Sequence, residues 1–176
     1  MLPVILSFFL LHSYGDAPKS FEPYVPVEVA YFKGKPIVQA KLNGHIAYFL
    51  VDTGAAISIL NSKAAEEMEF GVSVSSHRPD LYGLTGGSAT AMQAYKTDVF
   101  VSGWKLTHQW AATDMNDLVR LTKHRTRVKI SGIIGSDLMQ RFGFVIDYGT
   151  RKVWMSNPRG EKRKRKSTPR RQIVAY

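Results

Sequence analysis

From Val25 onward the apolar positions come in short alternating runs that are separated by turn residues, which is typical of β-strands. The run "VPVEVAYF" alternates, "KGKP" interrupts it, and "IVQAKL" continues it. Asn43-Gly44 then predicts a tight hairpin, because both residues accept positive φ. The returning strand, "HIAYFLV", ends directly before Asp52.

The same pattern continues to residue 157 and predicts one all-β domain over residues 24–157. Two short helices interrupt it: one begins at Asn61 or Ser62 and runs through Met68, and the other is "SDLMQRF", with Ser136 as its N-cap. Further strands are predicted at "ISIL", "GVSVSS", "KTDVFVSG", "WKLTHQWAAT", "GIIG" and a hairpin within "FVIDYGTRKVWM". Residues 114–130 have mixed periodicity and predict no element.

The composition agrees with a soluble globular domain. The chain has 176 residues, of which 44% are hydrophobic and 22% charged, enough for one domain with a real core. It contains no cysteine, so disulfides and thiolate zinc sites are excluded.

The net charge of +10 is concentrated near the C-terminus. The segment "PRGEKRKRKSTPRR" holds eight Lys or Arg residues and one Glu, and so contributes +7 of that charge. We expect residues 158–176 to form a disordered basic tail. The tail is either a solvated extension or a contact for an anionic partner such as lipid, nucleic acid or an acidic protein.

The N-terminus carries a ten-residue, mostly apolar run that is too short to span a bilayer as a helix. Small residues follow it, as in a signal peptide, although no Lys or Arg precedes it. Residues 1–15 are therefore an export signal, a buried terminal segment or an uncleaved anchor. The location of the protein is accordingly exported, membrane-associated or cytoplasmic.

Asp52 poses the chemical question of the sequence. It places a carboxylate at the end of an apolar strand, within "YFLVDTGAAISIL". A buried ionised carboxylate is costly unless it is paired or hydrogen-bonded. Asp52 is thus either a turn residue that reaches water or a charge that the fold holds inside for chemistry.

Three segments in order resemble the retropepsin-like aspartic peptidases, in particular their single-lobed bacterial branch. They are "FLVDTGAAISIL", the glycine-rich stretch about thirty residues later, and "GIIGSDLMQRFGFVIDYGTRKVWM". The resemblance implies a closed, barrel-like β fold and an aspartic endopeptidase that cleaves peptides or proteins without a cofactor. Asp52, Thr53 and Gly54 would form its catalytic turn.

Hydrolysis of this kind needs two carboxylates that share one proton across a water molecule. The chain contains a single Asp-Thr-Gly, and no other Asp is followed by this turn. The second carboxylate must therefore come from another copy of the chain, related by a two-fold axis. A homodimer is predicted.

The resemblance gives the neighbouring residues matching roles. The Thr53 hydroxyl would bond across the dimer axis, and Gly54 would let its backbone N–H approach the carboxylates. Ala55 would leave room for the substrate backbone. Three residues would support the catalytic loop from behind: Ile133, Ile134 and Gly135.

Gly83, Gly86 and Gly87 lie in "YGLTGGSA", which resembles a flap that closes over an extended substrate and pairs with it by strand addition. The alternative is an ordinary surface loop, since glycines cluster in turns. A phosphate loop is disfavoured because the Lys-Ser/Thr pair that it needs is missing.

The chain departs from viral retropepsins at two positions. Where those enzymes often carry an Asp and an Arg that pair and support the dimer, this chain has Ala56 and Ser136. Apolar packing is expected there instead. The insert 114–130 has no viral counterpart and could reshape the dimer or the substrate groove.

Other candidate groups are given structural roles. Asp137 is expected to be a first-turn helix acid rather than a catalytic residue, and Asp147 a turn former. Trp104, Trp110 and Trp154 fit strand patterns as core or interface aromatics. The five histidines show no metal-ligand spacing, so no metal site is predicted.

The leading hypothesis is a homodimeric aspartic endopeptidase. Two alternatives remain: a non-catalytic retropepsin-like module for dimerisation or peptide binding, and a scaffold for a tail that binds nucleic acid or membrane.

Overall fold

The computed structural model describes residues 24–27, 29–74 and 91–156. The predicted N-terminal segment, the basic tail and the three flap glycines Gly83, Gly86 and Gly87 lie outside these ranges. The strands are Tyr24–Val27 (β1), Val29–Phe32 (β2), Lys35–Leu42 (β3), His45–Val51 (β4), Ile59–Asn61 (β5), Gly71–Val74 (β6), Met92–Tyr95 (β7), Val99–Val101 (β8), Trp104–Lys105 (β9), Ala111–Thr113 (β10), Gly132–Ile134 (β11), Val145–Asp147 (β12) and Lys152–Ser156 (β13). The helices are Asn116–Thr126 (α1) and Ser136–Arg141 (α2).

The strands form a large sheet and a small one. The large sheet runs β6-β7-β10-β5-β11-β4-β3-β8-β9, with β2 also paired to β3, and the small sheet runs β1-β13-β12. This mostly-β architecture with two helices confirms the predicted fold class. No helix in the described part of the chain is long and apolar enough to cross a membrane.

The predicted hairpin at Asn43-Gly44 is confirmed, because β3 and β4 pair antiparallel with Leu42 opposite His45. Asn43 and Gly44 take φ values of 51° and 91°, as such a turn requires. The Asn43 amide nitrogen also donates to three backbone carbonyls, those of Met68, Glu69 and Lys96. The turn is thereby tied to the neighbouring loops, which fixes the register of β4 up to the residue before Asp52.

Two apolar clusters fill the space on the two faces of the central strands. The larger contains Phe49, Val51, Trp110 and Ile134, and the smaller contains Leu50 and Ile133 from the alternate positions of the same strands. Trp104 and Trp110 are buried in the larger cluster, as the core prediction required. Because β4 and β11 are buried on both faces, the end of β4 has little freedom to move.

Helix α2, Ser136–Arg141, lies where it was predicted, but the other helix differs from the prediction. The segment after Asn61 forms only a 3₁₀ turn over Ser62–Ala64, which Asn61 caps through Lys63 N, 3.3 Å away. The longer helix, α1, lies in the insert for which no element was predicted. Its Val119 is buried in the smaller cluster, so the insert covers that cluster.

The C-terminal hairpin is as predicted. Asp147 accepts hydrogen bonds from Gly149 N, Thr150 N and Thr150 Oγ1 at 2.8, 3.1 and 2.5 Å, and so forms the turn between β12 and β13. The bond from the Thr150 hydroxyl is the main cause that lowers the pKa of Asp147. This hairpin, with β1, makes the small sheet, in which β1 and β12 are the outer strands.

Candidate active site

The Asp52 loop connects two strands that are not neighbours. In the large sheet β11 lies between β4 and β5, so residues 52–58 must cross over the end of β11 on their way from β4 to β5. Gly135 follows β11 at that crossing. A Cβ on Gly135 would lie 2.6 Å from the carbonyl carbon and oxygen of Ile57 and 2.9 Å from Ala55 O. The chain can therefore cross this closely only because Gly135 has no side chain.

Backbone hydrogen bonds hold the loop against β11. Asp52 N donates to Ile134 O at 3.0 Å, and Ser136 N donates to Ala55 O at 2.8 Å. Ala55 N donates to Asp52 O at 3.0 Å, and this hydrogen bond closes the turn. Ile133 belongs to the smaller cluster, against which Ala55 packs. The predicted supporting residues Ile133, Ile134 and Gly135 thus all lie beneath the loop.

Asp52 is buried, with 4% of its surface exposed. Its Oδ1 accepts a hydrogen bond from Gly54 N at 3.0 Å, the contact that the Gly54 prediction requires. Its Oδ2 lies 2.5 Å from the Lys35 ammonium. The carboxylate is therefore an interior charge and not a turn group that reaches water. In the single chain its compensating charge is a lysine that the sequence reasoning missed.

Ser58, Asp137 and His108 form a polar network behind the loop. The Asp137 carboxylate accepts from Ser58 N at 2.9 Å and from Ser58 Oγ at 2.6 Å, and His108 Nε2 lies 3.0 Å from it. The Ser58 hydroxyl in turn accepts from Gly135 N at 2.9 Å. Asp137 is a first-turn acid of α2, as predicted, and it also anchors the end of the Asp52 loop at Ser58.

The positions of the missing viral ion pair are linked by a hydrogen bond. Ser136 Oγ donates to Ala56 O at 3.3 Å, and the Ala56 side chain is exposed. Within the single chain these two positions are therefore joined by a hydrogen bond and not by apolar packing. Ser136 is also the first residue of α2, and Gly135, not Ser136, is the capping residue.

An open depression of about 550 Å³ lies on the Thr53 side of the loop. Thr53 is exposed at its rim. The remaining lining comes from α2 and the segment that follows it: Ser136, Met139, Gln140, Gly143, Phe144, Ile146 and Tyr148. Tyr148 is 58% exposed. A depression with a partly apolar lining thus extends from the Asp52 turn to the segment that follows β12.

No group of three or more potential metal ligands occurs within residues 24–27, 29–74 and 91–156. Of the histidines described, His45 lies 3.6 Å from Glu69, His108 contacts Asp137, and His124 is exposed on α1.

His108 gives a testable dependence of stability on pH. Burial lowers its pKa below the ordinary value of 6.5, and this outweighs the opposing effect of Asp137; Arg141 lowers it further. As pH falls below about 6.5, the unfolded chain therefore binds a proton on His108 before the folded chain does. The free energy of unfolding should fall through that window, down to the pKa of the folded chain.

Urea titrations between pH 7.5 and 5 measure this effect as the difference between the parent chain and His108→Gln. The advantage of the parent should shrink as pH falls. His124→Gln, on the exposed face of α1, should leave the pH dependence unchanged. An advantage that grows toward acid pH would mean that a charged His108 is stabilised by Asp137 more than burial disfavours it.

Comparison with known proteins agrees with this geometry. A family model described as aspartyl protease matches residues 38–138. None of the curated proteins matches the chain significantly.

Solved structures similar to the chain include a retropepsin-like aspartic protease from Rickettsia conorii, with 18% identity, coverage of 75% of this chain and 89% of that chain, and a TM-score of 0.48. They also include the retroviral protease-like domain of Ddi1 from Leishmania major, with 20% identity, coverage of 71% and 96%, and a TM-score of 0.43. A third is the EIAV protease in complex with the inhibitor HBY-793, with 17% identity, coverage of 64% and 92%, and a TM-score of 0.40. Since the family match spans more than half of the chain, the protein belongs to the aspartyl protease family.

Proposed function

We propose that the protein is an aspartic endopeptidase that acts as a homodimer, with water activated between the Asp52 carboxylates of two subunits. The observation that carries this proposal is the placement of one buried Asp52 in a rigid Asp-Thr-Gly turn, in a chain with no second such turn. One carboxylate of the pair would be ionised and act as base, while the other holds the shared proton and acts as acid.

The surface beside Thr53 supports a two-chain site. The strand β12 is one of the two outer strands of the small sheet within the described residues, so its edge can pair with another strand. A two-fold axis beside β12 would pair it antiparallel with its copy and cover Tyr148 and the apolar depression. Thr53 lies at the rim of the same depression, so the two catalytic turns would then meet across the axis.

Substrate would bind as an extended strand over Asp52, next to Ala55. Gly83, Gly86 and Gly87 keep the role of a flap in this proposal. The basic tail keeps the role of a contact for an anionic partner.

A non-catalytic module for dimerisation or peptide binding is the second candidate. One observation favours it: in the single chain both Asp52 oxygens are already occupied, one by Gly54 N and one by the Lys35 ammonium. If Lys35 stays in place when two chains associate, its ammonium competes with a water molecule for Oδ2.

The deciding experiment is digestion of a diverse peptide library by the purified chain between pH 4 and 7, with the chain concentration varied. For a two-chain site, the initial rate should rise with the square of chain concentration below the dimer dissociation constant and linearly above it. A rate that stays linear at every dilution would contradict the shared site. A dimer that cleaves no peptide and binds no pepstatin-like inhibitor would favour the non-catalytic module.

A further inference from the structure

The contact between Lys35 and Asp52 has no place in the proposed hydrolysis. The Lys35 ammonium lies 2.5 Å from Asp52 Oδ2, and Gly54 N takes Oδ1 at 3.0 Å. A catalytic carboxylate must offer an oxygen to the water that it activates. In the separate chain, the oxygen that could do so is Oδ2, and it is already bound to the Lys35 ammonium.

The pairing of β3 with β4 makes this contact a property of the fold. The antiparallel ladder ends with Ile37 opposite Leu50, and its register, extended by two residues on each side, brings Lys35 across from Asp52. The ammonium therefore does not reach Asp52 from a distant loop. It reaches the carboxylate from the adjacent end of the neighbouring strand β3, where opposite charges attract.

The exposures of the two side chains are unequal. The Asp52 side chain is 6% exposed, whereas that of Lys35 is 43% exposed. A buried carboxylate needs a compensating group, but a half-exposed lysine on a flexible stem can turn its ammonium to water at little cost. The pair can therefore open by movement of Lys35 alone, provided that something else compensates Asp52.

We propose that Lys35 is a latch: it holds Asp52 in an inactive ion pair in the separate chain and is displaced when a second copy brings its own Asp52. The inference rests on the proposed two-chain site. A carboxylate that shares a proton with its twin no longer needs the ammonium, and the two arrangements compete for Oδ2. The separate chain is thereby kept inactive, and the ion pair opposes assembly.

The test compares Lys35→Met with Lys41→Met in the full chain, using sedimentation over a range of concentrations. Methionine keeps a long unbranched side chain and removes the charge. Lys41 is an exposed lysine near the other end of the same strand, which makes it a matched control. Each of the two parent chains gives up its ion pair on dimerisation, and each loss weakens the dimer by roughly threefold. K35M chains have no such pair to lose, so K35M should lower the dimer dissociation constant by about tenfold. K41M should leave the constant unchanged.

A second arm repeats K35M in the D52N background, in which no ion pair exists to be lost. There K35M should leave the dissociation constant unchanged. At concentrations below dimerisation, K35M should also lower the thermal midpoint of the chain that keeps Asp52 and leave that of D52N unchanged. This arm separates the loss of the ion pair from any other effect of the methionine, since it is a double-mutant cycle.

A dissociation constant that K35M raises or leaves unchanged, or lowers equally in both backgrounds, would overturn the latch. That result would leave the endopeptidase intact if cleavage still depends on Asp52. Conversely, K35M dimers that are tighter but cleave no peptide would support the displacement of Lys35 on dimerisation and exclude the proposed activity. If neither the parent chain nor K35M dimerises at any concentration, the latch and the two-chain site are both overturned.

Discussion

Replacing Asp52 with asparagine is expected to lower the rate of peptide cleavage by at least about 10³-fold, because the amide can neither take a proton from water nor share one with its twin. Stability should change little. Asparagine has the same shape, its side-chain oxygen can still accept from Gly54 N, and the half-exposed Lys35 can turn to solvent. Initial rates on a peptide that the parent chain cleaves measure the loss, and circular dichroism and sedimentation confirm that the fold and the dimer are retained.

Mixing the two chains turns this substitution into a test of the shared site. With random pairing above the dissociation constant, a fixed amount of parent chain should keep about half of its activity after an equal amount of D52N is added. It should keep about a quarter after a threefold excess, because mixed pairs are inactive. If each chain carried a complete site, the added D52N would remove no activity. An undiminished rate of the parent chain in the mixture would therefore contradict the two-chain mechanism.

The hairpin before Asp52 could be predicted from the sequence because it depends on local rules. Asn43-Gly44 fixes a two-residue turn, and alternation then sets which side chains face the core. The same strand register also predicts the contact between Lys35 and Asp52. Counting along both strands away from the turn places Lys35 opposite Asp52, so this residue could have been found from the sequence once the hairpin was accepted.

The helix α1 was missed because its apolar signal is weak. Within "NDLVRLTKHRT" Val119 and Thr122 are the buried positions, and Leu121 is 41% exposed, so no clear apolar face repeats along the helix. Its first turn is held by tertiary contacts as well as local ones: Asn61 Oδ1 accepts from Met115 N at 3.1 Å. Such a contact between distant parts of the chain leaves no periodic trace in the sequence.

The network behind the loop was missed for a similar reason. Ser58 and Asp137 are 79 residues apart and meet only because β11 enters the sheet between β4 and β5. Asp137 could be recognised as a first-turn acid from local sequence, but its partners could not. The resemblance located the catalytic turn, while the groups that hold it in position required the topology.

That topology makes Gly135→Ala a strongly destabilising substitution. The added Cβ would lie 2.6 Å from the carbonyl group of Ile57, a backbone neighbour that cannot rotate away. Either β11 or the catalytic loop must move, and overpacking of this kind costs about 3 kcal/mol. For a domain of this size, we expect the thermal midpoint to fall by roughly 10 °C.

Activity should fall as well, and for a separable reason. Gly135 N holds the Ser58 hydroxyl, and the crossing sets the position of the loop that carries Asp52. A shift of about 1 Å at the catalytic group can cost on the order of 10²-fold in rate, even in molecules that remain folded. Rates are therefore compared well below the midpoint of the variant.

Gly149→Ala is the matched control, because its Cβ would meet only the Asp147 side chain, at 3.2 Å in the exposed β12–β13 turn, and its cost should stay within about 0.5 kcal/mol. A G135A chain as stable and as active as the parent would show that the loop does not cross β11 at this distance, and the support assigned to Gly135 would have to be abandoned.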